Sequence, residues 1–232
     1  MRQIIIDTET TGLEPAKGHR VIEIGCVELV NRKLTGNEFH QYINPEREVE
    51  EEAIEIHGIT NEFLLDKPIF SDILSEFLEF IKGAELIAHN AKFDVGFINH
   101  EIKLVSKKNH PLDKYVTVFD TLALARKKFP GQRNSLDAVC KRYKIDLSGR
   151  ELHGALLDAQ LLAEAYLRMT GGQGSLFAEQ DLVISDATKT SNSFTKAASI
   201  NQTPTKIIHA NEIELIAHDE LLKKIKKTQH SK

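Results

Sequence analysis

Three consecutive isoleucines, Ile4-Ile5-Ile6, lead without a break into Asp7-Thr8-Glu9. A β-branched run this short reads as a buried central strand. Side chains alternate along a strand, so Asp7 and Glu9, two positions apart, share one face. Two carboxylates side by side repel and raise a pKa. A divalent cation removes that penalty, and oxygen ligands of this kind suit magnesium or manganese. By itself an Asp-x-Glu at a strand end does not establish a metal site.

The rest of the pattern supplies a sheet and its cover. Val21 to Val30 reads as a second strand, Asn31-Arg32-Lys33 as a turn, and Leu34 to Ile43 as a third strand. Phe70, Ile73, Leu74, Phe77, Leu78 and Ile81 recur at helical spacing, with Gly83 as the stop. Leu86-Ile87-Ala88 is a fourth strand, Val95 to Leu104 a helix, and Val116 to Phe119 a fifth strand ending at Asp120. Short helices start at Leu122 and Leu136, and a long one runs from about Ala155 to Met169, ending at Gly171-Gly172. Strands first, then strands alternating with helices, predict an α/β fold with a mixed sheet and helices on its faces.

Beyond Gly172 the composition changes. Residues 178 to 205 are rich in Ser, Thr, Asn, Gln and Ala, which reads as a flexible linker. Asn211 and Glu214 resemble a variant capping box. Ile213, Ile216, Ala217, Leu221, Leu222 and Ile225 then form one apolar stripe, as a short helix with a partner or a frayed tail. The predicted divisions are a domain over 1–172, a peptide at 173–177, a linker over 178–210 and a short amphipathic helix over 211–227.

The chain of 232 residues is 41% apolar, enough for one good core, and has no apolar run of membrane-spanning length. The start is too quickly acidic for a signal peptide. Cys26 and Cys140 lie in apolar patterns without metal-ligand spacing, which predicts buried reduced thiols in a cytoplasmic protein. A net charge of −4 suits holding a few nucleotides better than wrapping a duplex. The basic stretches, Lys103 to Lys108 and Arg126 to Arg133, are either solvated helix ends or a rim that guides a phosphate backbone.

Two further segments carry acids. His89-Asn90-Ala91-Lys92-Phe93-Asp94 follows the fourth strand, where Asp94 is either a helix cap or part of a site. His153-Gly154-Ala155-Leu156-Leu157-Asp158 opens the last long helix, and Asp158 shares the face of Leu161, Leu162 and Ala165. A buried aspartate needs a partner. A free imidazole titrates near pH ~6.5, so His153 suits a general base for water. Taken as an ordered set, the three segments read as a two-metal nuclease acting on a 3′ end.

These segments resemble the three motifs of the DEDDh exonuclease family. The likeness extends to Asp7 through Leu13, Glu23-Ile24-Gly25, His57-Gly58-Ile59-Thr60, Phe63-Leu64, Pro68-Ile69-Phe70, Arg133 through Asp137 and His153 through Ala159, over roughly residues 1 to 177. It is strongest to the proofreading branch, the exonuclease subunits of bacterial replicative polymerases. The resemblance implies a ribonuclease-H-like mixed five-stranded sheet flanked by helices, followed by a flexible C-terminal tail. It implies two divalent ions, Mg²⁺ or Mn²⁺, held by Asp7, Glu9 and Asp158, with Asp7 bridging and Asp94 completing the set partly through water. His153 is then the general base. Glu52 and His57 contact the terminal nucleotide, unless His57 is only a cap or loop histidine. Thr8, Thr10, Leu13, His89, Asn90 and Phe93 line the same cleft.

Gln173-Gly174-Ser175-Leu176-Phe177 is similar to the peptide by which bacterial replication proteins bind the sliding clamp (beta). There Leu176 and Phe177 fill an apolar pocket and Gln173 sets register, unless the Leu-Phe pair folds back on the domain. The tail then tethers the nuclease to the polymerase catalytic (alpha) subunit. A small accessory subunit is a further possible partner. The expected substrate is the single-stranded 3′ end of DNA. Two other readings share parts of this pattern: an RNA 3′-end trimming relative with the same chemistry, and a non-catalytic adaptor between clamp and polymerase.

Overall fold

The isoleucine run forms the middle of a nine-residue strand, β1 (Arg2–Thr10), in which Ile4, Ile5 and Ile6 are fully buried. The computed structural model describes residues 1–105, 110–150 and 152–171. β2 (Val21–Val30) pairs antiparallel with β1, and β3 (Lys33–Tyr42) antiparallel with β2. Asn31 and Arg32 between them both have positive φ, 50° and 65°, as the tight hairpin geometry requires. β4 (Glu85–Ala88) lies parallel on the other side of β1, and β5 (Thr117–Asp120) parallel to β4. The order is β3-β2-β1-β4-β5, a mixed five-stranded sheet.

Helices cover both faces. Ile4 and Ile6 pack into a core with Phe70, Phe77 and Ile81 of α3 (Phe70–Ile81) and Phe97 and Ile98 of α4 (Ala91–Val105). Ile5 points the other way, into a cluster with Val27, Ile87 and Ala159, Leu162 and Tyr166 of α7 (Ala155–Thr170). Each such side chain removed from water contributes roughly 1.5–3 kcal/mol. The alternation continues down β1, so Asp7 and Glu9 lie on the α7 face while Thr8 and Thr10 lie on the α4 face. β1 pairs with β4 only over Gln3, Ile4 and Ile5. Beyond Ile5 its flank passes the end of the short β4, where the chain turns through Asn90 into α4.

Two helices are absent from the expected pattern: α1 (Glu51–His57) and α2 (Asn61–Leu64), followed later by the shorter α5 (Thr121–Lys128) and α6 (Leu136–Arg142) that the sequence did suggest. Val49, Ile59 and Leu64 around α1 and α2 cluster with Ile22 of β2. α4 begins at Ala91 rather than Val95, which places Asp94 inside its first turn. The fifth strand begins at Thr117, one residue later than expected. Cys26 and Cys140 are free and buried. No helix among the described residues is long and apolar enough to cross a membrane. The expected peptide at 173–177, linker at 178–210 and helix at 211–227 lie outside the described residues.

Candidate active site

The acid groups meet where β1 outruns β4. From β1 come Asp7 and Glu9; from the first turn of α7 comes Asp158, 3% exposed; from the loop before it comes His153. One ligand atom each from Glu9, His153 and Asp158 lies within 4.8 Å of the others. Asp94 arrives from the opposite side of the strand. It is buried in the first turn of α4 and accepts a 2.8 Å hydrogen bond from Thr8 Oγ1. Asp7 lies near enough to Asp94, Glu9 and Asp158 for all three to act on its charge.

The electrostatics follow from crowding and burial. Asp7 keeps a partly open surface, yet burial raises its carboxyl well above the usual range, with Asp94, Glu9 and Asp158 adding to the rise. Burial, Asp158 and Glu23 push Glu9 up to about 8. Burial pushes Asp94 up to about 7 against the Thr8 hydrogen bond, which favours its charged form. The Oδ1 of Asp158 is buried with no hydrogen-bond partner. An orphaned carboxylate oxygen among carboxylates that resist ionisation fits a hard divalent cation, which takes such oxygens and removes their repulsion.

One cation of the chain already reaches this cluster. Arg150, its side chain 7% exposed, donates from Nη2 to Asp158 Oδ2 at 2.5 Å and to His153 Nδ1 at 2.7 Å, while Nη1 pairs with Asp137 of α6. A guanidinium only donates, so Nδ1 of His153 acts as the acceptor in that contact. Arg150 lowers the raised carboxyls of Asp7 and Glu9. Nothing in the sequence marks it: it sits in a Ser-Gly-Arg loop, three residues before His153, and its partners come from two helices.

Beside the acids is a cleft of about 440 Å³, lined by Thr8, Glu9, Thr10, Gly12, Leu13, Glu50, Glu52, Ala53, Ile56, His57 and Phe93. α1 supplies Glu52 and His57. His57 is 6% exposed; its Nδ1 accepts the Ile59 N–H at 3.0 Å, and its Nε2 has no hydrogen-bond partner. Burial keeps this imidazole below its ordinary pKa, partly offset by the Thr10 backbone. The same helix holds the His153 loop, because the His153 N–H donates to Ile56 O at 3.1 Å. Gly58, at φ 73°, ends α1 where a Cβ would come within 2.5 Å of Leu152 Cδ1.

The remaining expected residues divide. Asn90, at φ 77°, lines an adjoining cavity of about 360 Å³ with Lys92, Gly96 and Phe97; Leu13 and Phe93 border both spaces. Leu13 is 78% exposed at that boundary. His89 is turned away: its Nδ1 lies 2.9 Å from Thr121 Oγ1 and its Nε2 2.8 Å from Asn134 O, joining β4 to α5 and the loop before α6. Arg126, Lys127 and Lys128 form the last turn of α5, where cations favour the helix dipole. Lys107 and Lys108 of the other basic stretch, like Gln173, Leu176 and Phe177, lie outside the described residues.

Comparison with known proteins shows the family. The exonuclease family model matches residues 4–166. The DNA polymerase III subunit epsilon of Salmonella typhimurium is 51% identical over 232 residues, 97% of this chain and 94% of the relative. That of Rickettsia felis is 50% identical, covering 98% of each chain. That of Escherichia coli is 49% identical over 97% of this chain. Among solved structures, exonuclease X in complex with 5′-overhanging duplex DNA superposes with a TM-score of 0.55 at 28% identity, over 72% of this chain and 90% of that one. The nuclease domain of 3′hExo, a DEDDh family member bound to rAMP, shares the fold with a TM-score of 0.62 at 24% identity, over 72% and 90%. With acids from β1, α4 and α7 gathered at one strand end and relatives matched along nearly the whole length, the chain belongs to the exonuclease family and, within it, to the DNA polymerase III epsilon subunits.

Proposed function

We propose that this metal-dependent exonuclease shortens DNA from its 3′ end and acts as the proofreading subunit of the replicative polymerase, in the cytoplasm. The observation that carries the reading is the convergence of Asp7, Glu9, Asp94, Asp158 and His153 from three distant segments, with Asp158 Oδ1 left unpaired. Asp7, Glu9 and Asp158 would hold two divalent ions, magnesium or manganese. Asp94, anchored by Thr8, would complete the acidic set. Bound there, the ions supply Lewis acidity to the phosphate and make water a better nucleophile.

The side chains do the rest. His153 accepts the proton of the attacking water. Its imidazole does so from a loop fixed at Ile56 O on one side and by the Arg150 guanidinium on the other. Glu52 and His57 receive the terminal nucleotide, with the unpaired Nε2 of His57 as a donor toward it. Leu13 and Phe93, which border both cavities, line its path. The cleft of about 440 Å³ offers room for a terminal nucleotide and not for a duplex, so a frayed single strand enters at lower cost than a paired end. A mismatched primer end frays more readily, which is a source of selectivity.

The decisive measurement is digestion of a 5′-labelled single strand, as DNA and as RNA of the same sequence, with Mg²⁺, with Mn²⁺ and with chelator. A stepwise ladder of shortening on DNA that vanishes with chelator is expected. Release of the label as a mononucleotide at the outset, or equal cutting with chelator, would contradict polarity or metal dependence respectively.

The tail is proposed to act as a tether. Gln173 to Phe177 docks on the sliding clamp, 178–210 is the linker, and 211–227 is a helix that docks on the catalytic (alpha) subunit. A small accessory subunit is a further proposed partner of the domain. Replacing Leu176→Ala together with Phe177→Ala is expected to weaken clamp binding in surface-plasmon titrations and leave the rate on short oligonucleotides intact. Undiminished clamp affinity would reject the docking peptide.

A further inference from the structure

Asp158 and His153 take their places from the first turn of α7, and that turn has no cap of its own. Its N-cap is Gly154, which has no side chain to offer. The N–H groups of a first helical turn have no intrahelical acceptor. The Ala155 N–H finds one across the fold, donating to Glu23 Oε2 of β2 at 3.1 Å. Glu23 is 2% exposed, and its other oxygen lies 2.7 Å from His40 Nε2 of β3. Two residues on, Gly25 clears the ground: a Cβ there would stand 2.2 Å from Ala155 C and Leu156 N. β2 therefore receives the helix start twice over, with a missing side chain at Gly25 and a carboxylate at Glu23.

The arrangement has a cost that calls for a reason. Glu23 stands directly across from Glu9 in the β1–β2 register. A like charge beside a carboxylate already crowded by Asp7 and Asp158 disfavours its ionised form. A helix N-terminus favours a carboxylate, which offsets part of that cost. Glu23 is also absent from the lining of the cleft. We propose that Glu23 is a positioning residue, holding the start of α7 against β2 and so setting Asp158 and His153 at the separation from Glu9 that a shared divalent ion requires. This rests on the metal-binding reading of the site given above.

Two conservative variants separate reach from charge. Glu23→Asp keeps the charge and shortens the arm by one methylene, withdrawing the oxygen from Ala155 N–H. Glu23→Gln loses the charge and keeps the length: its amide oxygen accepts from Ala155 and its amide nitrogen donates to His40. Both are to be made in the full chain and followed by Mn²⁺ titration and by kcat and KM on single-stranded DNA. Partners that orient metal ligands typically contribute about 10–100-fold in affinity or rate. Glu23→Asp is expected to lose Mn²⁺ affinity and kcat by about that factor with KM little changed, while Glu23→Gln retains most of both. Hydrogen exchange at the Ala155 amide, a readout independent of metal, is expected to quicken in Glu23→Asp and not in Glu23→Gln. Wild-type affinity and exchange in Glu23→Asp, or equal damage in Glu23→Gln, would overturn the proposal. Failure of the wild-type protein to bind Mn²⁺, with the exchange pattern as expected, would instead sink the metal reading and leave the cap standing.

Discussion

The two halves of β1 are built to opposite ends. From Gln3 to Ile5 the strand is paired on both sides, and the isoleucines Ile4 to Ile6 are packed from both faces. From Asp7 to Thr10 the same strand has lost its β4 partner and carries two acids into a partly buried place. The first half contributes stability by removing apolar surface from water. The second withholds it, because Asp7 and Glu9 are pushed toward their protonated forms by burial and by one another. One continuous backbone couples them: the apolar half is what holds the repelling half at fixed spacing.

Removing Asp7 is the sharpest way to break this contrast. In Asp7→Ala, metal-dependent hydrolysis should fall to the background of a chelated sample, because a carboxylate of the acid cluster is gone. The same variant should melt no lower than wild type in chelator, since the strongest mutual repulsion in the site is relieved. Activity near the wild-type level would contradict the role given to Asp7, and a large drop in Tm would mean that the acid half supports the fold after all.

Ile5→Ala tests the other half, with a smaller effect on catalysis and a clear one on stability. Ile5 is fully buried in the α7-facing cluster. Truncation of such a side chain costs about 2–5 kcal/mol in denaturant unfolding. Per folded molecule, kcat should stay within about a few-fold of wild type if the strand keeps its register. A loss of activity out of proportion to the folded fraction would show that packing under α7 is transmitted to Asp158.

The contrast also explains what could be read from the chain and what could not. The apolar half of β1, the stripe of α3 and the run of α7 are legible because burial imposes a period on residue type. Asp7, Glu9 and Asp158 are legible because an acid placed on a core-facing position is out of pattern. α1 is not: it opens on Glu51-Glu52 directly after Glu50, and of its seven residues only His57 is buried, so no stripe announces it. Arg150 and the capping role of Glu23 are invisible for a different reason. Glu23 meets Ala155 from 132 residues away, and Arg150 meets Asp137 and Asp158 from a loop between two helices; no periodicity along the chain announces either meeting. Asp94 falls between, since a first-turn carboxylate looks like a cap until its burial and its bond to Thr8 are known.

The smallest expected effect concerns pH and requires a difference measurement. Glu9 rises from 4.5 to about 8 and Asp94 from 3.8 to about 7. A carboxyl raised in the folded state favours folding while it is protonated. That advantage is complete below the unfolded values and is lost as pH climbs through about 7 to 8. His57 and His89, held low by burial, act the other way, since they favour folding once neutral and lose that contribution as pH falls. The melting curve of the wild-type protein alone mixes the two. Subtracting it from Glu9→Gln in chelator removes the histidines, which both proteins share. The variant's Tm advantage should be near zero at pH 5 and grow to on the order of 5 °C by pH 8. Added Mn²⁺ should then reverse the sign, because an ion bound only to the folded wild-type protein stabilises it by mass action and the variant lacks a ligand. A Tm difference that is flat from pH 5 to pH 8 would mean that Glu9 is ionised throughout, and that the acid half of β1 is paid for by some cation other than the metal, for which Arg150 is the nearest candidate.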